Sequence, residues 1–312
     1  MARFNPMAEQ CSLAASASLQ INNLDAYSAG DGTTYYCYVS GSSVWMTKAV
    51  QGAEDEHRQF CASEGTGAIH QAKFVLHGAQ ALLVVVGTLV QRIFGLNGRC
   101  LLTHKISPPA HQPEDGDSVG QLHLIDLGQM RPGAVLATPH AGPITCMAAD
   151  EGATQLVVGD EERRVSFWQV EGHGLRLLSH LEAEDAQPVH ALQVLDKFVF
   201  VGQANGSIHV YTSSTYERVA MLNAHARTLF AMATSPAQRL LVTVGLDSKA
   251  IVYQLPPPLS GQGIAGLRAV FSATIKDRFL TGVAFNAAGD IRVACFDSYK
   301  MVQFDQQPAT IA

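Results

Sequence analysis

The sequence is short of almost every feature that announces chemistry. Only 15% of its 312 residues are charged, and its 21 Lys and Arg are scattered along the chain. With a formal charge of −6, it lacks the clustered cations that a nucleic-acid binder sets against phosphate, so neither DNA nor RNA is expected as a partner. The longest apolar run, "ALLVVVG" at 81–87, is far too short to cross a bilayer. The opening "MARFNPMAEQCSLAASASLQ" has no apolar stretch behind a basic one, so a soluble intracellular protein without a membrane partner is expected. Six cysteines (Cys11, Cys37, Cys61, Cys100, Cys146 and Cys295) form no C-x-x-C pair, and twelve histidines form no H-E-x-x-H pattern. No metal and no cofactor is expected, and the thiols read as buried small hydrophobes.

What the chain does have is apolar material, 47% of its residues, enough for a sizeable core. It is dealt out in short runs. Residues 224–255 resolve into "TLFAMAT", the turn "SPAQ", "RLLVTVG", the turn "LDS" and "KAIVYQL": three β-rich runs on tight turns. The figure recurs at 143–170, 188–214 and 280–304. An aromatic closes each third run, and Trp168, Tyr211 and Tyr253 follow one another at 43 and 42 residues, the period of a four-stranded propeller blade. Phe94 and Phe304 continue the aromatic series, and Thr47 and Ile125 occupy the remaining places.

Seven markers predict an all-β fold: a seven-bladed WD-repeat-type β-propeller, with residues 1–312 as one domain. The last unit ends on its third strand, so the ring is expected to be closed by an N-terminal strand drawn from "CSLAASASLQI". The third blade is shortened. Phe94 to Ile125 spans 31 residues, "RCLLTHKI" and "QLHLIDLG" supply one strand each, and 106–120 reads as an irregular loop. The proline-rich 256–266 is read as a second irregular loop.

In the unit that opened this reading, His225, Thr243, Asp247 and Tyr253 stand where a WD-type blade carries a structural hydrogen-bonded line of His, hydroxyl, Asp and aromatic. Buried polar groups that satisfy one another hold strand register, so the assignment is structural. The unit ending at Trp168 offers His140 and Glu162. The one ending at Tyr211 has Asn205 at the Asp place and Val201 at the hydroxyl place. A propeller enzyme would need converging acids, bases or ligands; the innermost runs offer only His190, read as a packed side chain, so no catalytic residue and no small-molecule substrate are expected. Asn205-Gly206-Ser207 has the form of a glycosylation acceptor, but it sits in a tight turn.

The stretch 202–255, with "NAHAR" at 223–227, and the closing "FSATIKDRFLTGVAFNAAGDIRVACFDSYKMVQF" resemble the corresponding blades of the WD repeat-containing protein 54 family. The resemblance is best in the C-terminal half and extends to "AGPITCMAADEG" at 141–152. It implies a single-propeller binding protein without catalysis, associated with cilia or flagella. The expected role is therefore a non-catalytic scaffold or adaptor subunit, partnered by other proteins of an assembly such as the axoneme, in the cytoplasm or cytoskeleton. A soluble adaptor in ubiquitin ligation or vesicle traffic is the alternative, with a propeller enzyme behind it.

Overall fold

A computed structural model describes residues 3–6, 11–50, 52–60, 67–106, 120–172, 174–182, 187–257 and 263–307. The described residues contain no α-helix, and hence no helix long and apolar enough to cross a membrane. The period of the sequence appears as antiparallel sheets whose four strands follow one another in chain order. The first sheet is β2 (Asp25–Ser28), β3 (Thr34–Ser40), β4 (Ser43–Ala49) and β5 (Glu56–Phe60); β1 (Arg3–Pro6) belongs elsewhere. The second is β6 (Ile69–His77), β7 (Gln80–Gly87), β8 (Val90–Gly95) and β9 (Cys100–Lys105). Then come β10 (Gln121–Asp126) and β11 (Arg131–Ala137), which among the described strands pair with each other alone.

The next sheet is β12 (Ile144–Ala149), β13 (Gln155–Asp160), β14 (Arg164–Glu171) and β15 (Gly174–Glu182). It is followed by β16 (Val189–Leu195), β17 (Phe198–Gln203), β18 (Ser207–Thr212) and β19 (Arg218–Asn223). A further sheet holds β20 (Leu229–Ser235), β21 (Leu240–Gly245), β22 (Lys249–Gln254) and β23 (Arg268–Thr274). In the last, β24 (Leu280–Phe285), β25 (Ile291–Cys295) and β26 (Val302–Gln307) are joined by β1. The chain divides into two compact units: Met1–Ala110, Ile125–Pro132 and Arg278–Ala312 form one, and His111–Leu124 with Gly133–Asp277 the other.

Three expectations are corrected here. Among the described residues there are six four-stranded blades, not seven, and the third place holds the two strands β10 and β11. The reason is length: residues 106–120 are 15, whereas the corresponding connections 61–89, 138–163, 183–206, 224–248 and 275–301 run to between 24 and 29. A connection of that length is short beside those that carry two strands with their turns elsewhere in the chain. "RCLLTHKI" does not belong to the third blade; it is the outer strand β9 of the second. The strand added to the last sheet is Arg3–Pro6, which pairs with Phe304–Gln307, and not "CSLAASASLQI".

That small-residue segment has another use. It wedges between the last sheet and the first, where Cys11, Leu13 and Ala17 pack with Tyr36, Tyr38, Ala294 and Met301. It is tethered by the Leu13 N–H to the Tyr299 carbonyl at 2.8 Å and by the Ser18 N–H to the Val39 carbonyl at 2.9 Å. Of the two expected loops, 107–119 and 258–262 lie outside the described residues, and Gly263–Gly266 is a short 3-10 turn.

Position within a sheet explains composition. Middle strands such as β17 and β21 are buried throughout and read as continuous apolar runs, because both faces are covered. Outer strands such as β19 alternate exposed and half-buried residues, as a strand wet on one face does. Each buried Leu, Val or Phe in the middle strands contributes about 1.5–3 kcal/mol.

Candidate functional site

The aromatic markers occupy one recurring backbone position. Between the third and fourth strands the register shifts at Ile93/Phe94, Phe167/Trp168, Val210/Tyr211 and Val252/Tyr253. A bulge there bends the strand, and the large side chain that follows it fills the space. All four markers are buried, as is Phe304, which faces Ile291 on one side and Pro6 on the other. Thr47 is buried too and shares a hydrogen bond of 3.1 Å with His57 Nδ1. Ile125 lies on β10.

In the β20–β23 sheet the structure brings His225, Thr243 and Asp247 together. His225 Nδ1 lies 2.9 Å from Asp247 Oδ1, and Nε2 lies 2.9 Å from Thr243 Oγ1. A neutral ring satisfies both contacts by donating from Nδ1 to the carboxylate and accepting the threonine proton at Nε2. Burial lowers the His225 pKa, outweighing the neighbouring carboxylate. Burial by itself would raise the Asp247 carboxyl, yet the bond from His225 and the N–H groups of Ala226 and Lys249 hold it below its usual value. Tyr253 adds packing, not a hydrogen bond, to this line: its ring joins Leu241, Ile251 and Leu255 in the core.

A second line, fully formed, lies in the β12–β15 sheet. His140 Nδ1 is 2.8 Å from Asp160 Oδ2, His140 Nε2 is 2.7 Å from Ser166 Oγ, and the Trp168 indole N–H donates to the same hydroxyl at 2.7 Å. The carboxylate is Asp160, not Glu162. Strand register shows why: Trp168 faces Leu156 as Tyr253 faces Leu241, which makes Asp160 the counterpart of Gly245. At that point one sheet has a carboxylate on the strand, while the other has a glycine against the His225 ring and takes its carboxylate from the turn. Ser166 stands two residues before Trp168 on one strand, hence on the same face. In the β16–β19 sheet Asn205 accepts from the Ser207 N–H and hydroxyl, and Val201 is buried apolar surface.

His190 sits at another repeated shift, between the first and second strands, where the register slips at Ile144/Cys146, Val189/Ala191 and Leu229/Ala231. The residue inside the bulge turns to the next sheet. Thr145 donates to the Val189 carbonyl, and His190 Nδ1 donates to the Leu229 carbonyl at 3.0 Å. The half-buried His190 thus ties two sheets, with its pKa lowered by burial. Burial likewise pushes the Cys146 thiol up to about 12 and the Cys295 thiol to about 11. Cys100 is exposed, contrary to the expectation of buried thiols, because it begins an outer strand; Cys61 lies outside the described residues.

Three exposed aromatics of the first unit carry no signal in the sequence pattern. Phe279, just before β24, is 46% exposed; Phe296 and Tyr299, between β25 and β26, are 39% and 63% exposed. Leu19 and Leu89, on connections of the same unit, are about half exposed. Their connections are tied together: the Phe296 N–H donates to the Phe279 carbonyl at 2.9 Å, Arg278 Nη1 donates to the Asp297 carbonyl at 3.3 Å, and Ala17 bridges to Phe296. Ordered aromatics that remain solvent-exposed are the usual anchors of protein interfaces.

No family model matches the chain. Its sequence is 24% identical over 274 residues to WD repeat-containing protein 54 of Homo sapiens, covering 78% of this chain and 81% of that protein. The chain is similar to WD repeat-containing protein 54. The Mus musculus protein of that name is 24% identical over 275 residues, with the same coverage. WD repeat domain 54 of Rattus norvegicus is 23% identical over 252 residues, covering 71% and 75% of the two chains. Among solved structures, a chain of "Crystal Structure of Mitotic Checkpoint Complex" superposes with a TM-score of 0.74 at 16% identity, covering 97% of this chain and 96% of that one. "Crystal structure of Chaetomium thermophilum Raptor" gives 0.73 at 11%, covering 100% of this chain and 29% of that one. The fold is an all-β propeller.

Proposed function

We propose that this protein is a non-catalytic interaction scaffold, a structural or adaptor subunit of a larger assembly. The exposed aromatics Phe279, Phe296 and Tyr299, on connections tied to one another by hydrogen bonds, carry the reading. Aromatics of this size lose little conformational entropy on binding and dominate interface energetics. The polar lines centred on His140 and His225 support it from the other side: each histidine spends both ring nitrogens on groups of its own sheet and has none left for a substrate.

Among assemblies, the cilium or flagellum axoneme is favoured, on the family resemblance to WD repeat-containing protein 54. The decisive experiment couples fractionation to mutation. The wild-type protein is expected to stay with salt-washed axonemes, and the Phe279→Ala/Tyr299→Ala variant to move to the soluble fraction with its melting temperature unchanged. Recovery of the wild type only in the detergent-soluble fraction would remove the axonemal setting. An unchanged set of cross-linked neighbours in the variant would remove the role of these aromatics.

A further inference from the structure

The cleft between the β2–β5 and β6–β9 sheets of the first unit has two openings that share part of their lining. The larger, about 460 Å³, is lined by Tyr27, Tyr35, Ala81, Leu96, Arg99 and Leu101, among others. The smaller, about 300 Å³, shares Tyr35 and Leu96 with it and adds Lys48, Glu56 and Arg58. Tyr27 and Tyr35 stack at 6.1 Å with 22° between their planes, and Phe74 backs Tyr27 at 6.2 Å. The wall is therefore a flat aromatic surface, preorganised by its own contacts.

Its charge runs against that of the whole chain. Lys48 is taken up by Glu56 at 2.9 Å, but Arg58 and Arg99 meet no carboxylate among the described residues. Arg58 is held in place, donating from Nη1 to the Leu96 carbonyl at 3.2 Å and lying against Gly98. One of its five donors is thus spent and the rest of the fork remains available. Two uncompensated guanidinium groups beside an aromatic wall, on a molecule of net charge −6, form a localised cationic site. Such a site selects a partner with a few local negative charges; an extended polyanion would be repelled by the acidic remainder of the molecule.

We propose that this cleft binds a short extended segment of a partner protein in which acidic residues flank an aromatic or large apolar one. The apolar side chain lies against Tyr27, Tyr35 and Leu101, and the carboxylates meet Arg58 and Arg99. The cleft shares no residue with the exposed aromatics Phe279, Phe296 and Tyr299, so the inference goes beyond the scaffold reading and stands if they prove idle.

The test is fluorescence anisotropy with the full chain. The probe is a fluorescein-labelled nonapeptide with a central Phe between two Asp-Glu pairs. Its counterparts carry Lys at the acidic positions, or Gly in place of Phe, and a labelled oligo-dT is run beside them. Wild type is expected to bind the acidic peptide and to lose about tenfold or more in affinity in Arg58→Gln/Arg99→Gln, for the lost charge pairs. Binding should weaken with added salt and with the Gly peptide. Arg176→Gln, whose guanidinium pairs with Glu171 elsewhere, should bind like wild type. Arg99→Gln alone, on an exposed turn, keeps the test decisive if the double variant does not fold. The proposal falls if wild type does not bind the acidic peptide, if the Lys peptide or oligo-dT binds as tightly, or if the arginine variants bind unchanged.

Discussion

Ser166 Oγ lies 2.7 Å from the indole nitrogen of Trp168, two residues further along β14, and the same oxygen lies 2.7 Å from His140 Nε2. One hydroxyl therefore completes two buried groups. Ser166→Ala should leave both the indole N–H and the ring nitrogen unsatisfied, at about 1–3 kcal/mol for each. Glu162→Gln should stay within about 0.5 kcal/mol of wild type, as surface changes do. Urea unfolding of the two variants beside wild type reads the difference; equal midpoints for Ser166→Ala and wild type would refute the line as a source of stability.

Acid should weaken the fold in two stages. Burial holds the His225 pKa below its usual 6.5, so the unfolded chain takes up this proton first. The associated stability is complete above 6.5 and declines as pH falls toward the folded value. Asp247, held below its usual 3.8, adds a contribution that is complete above 3.8 and is lost as pH falls through its folded value. His225→Gln should therefore show a shallower fall in melting temperature between about pH 7 and pH 5. A residual slope is expected from His190, also lowered by burial. Parallel curves for variant and wild type would contradict the assignment.

Removing residues 1–6 should bare one edge of β26, whose partner β1 is the outermost strand of the last sheet. An unpaired edge invites intermolecular pairing. The shortened chain should scatter light and elute as oligomers, while internal changes in the 11–21 wedge lower stability without exposing an edge. A monodisperse shortened chain would show that β1 is dispensable.

Much of the fold was legible because its signals are local. The aromatic after each bulge recurs at a blade's length, and the middle strands are apolar on both faces; each depends only on residues a few places away. Asp160 was not legible, because Glu162 occupies the turn position that Asp247 holds in the β20–β23 sheet. Which carboxylate reaches the histidine is decided by register across β13 and β14. The N-terminal strand was misplaced for a similar reason. "CSLAASASLQI" has the spacing of a strand, but its small side chains suit a wedge between two sheets, and Arg3–Pro6 is the segment in reach of β26.

By itself the sequence determined an all-β chain and the length of its repeat, and it set His225, Thr243 and Asp247 at the spacing of a hydrogen-bonded line. Each follows from periodicity and turn chemistry along the chain. Only the tertiary structure decided that Ser166 serves both His140 and Trp168, that Phe279, Phe296 and Tyr299 stay exposed, and that Arg58 and Arg99 line openings with a shared wall. Those are distances between residues far apart in the chain, set by how sheets pack, and no local pattern encodes them.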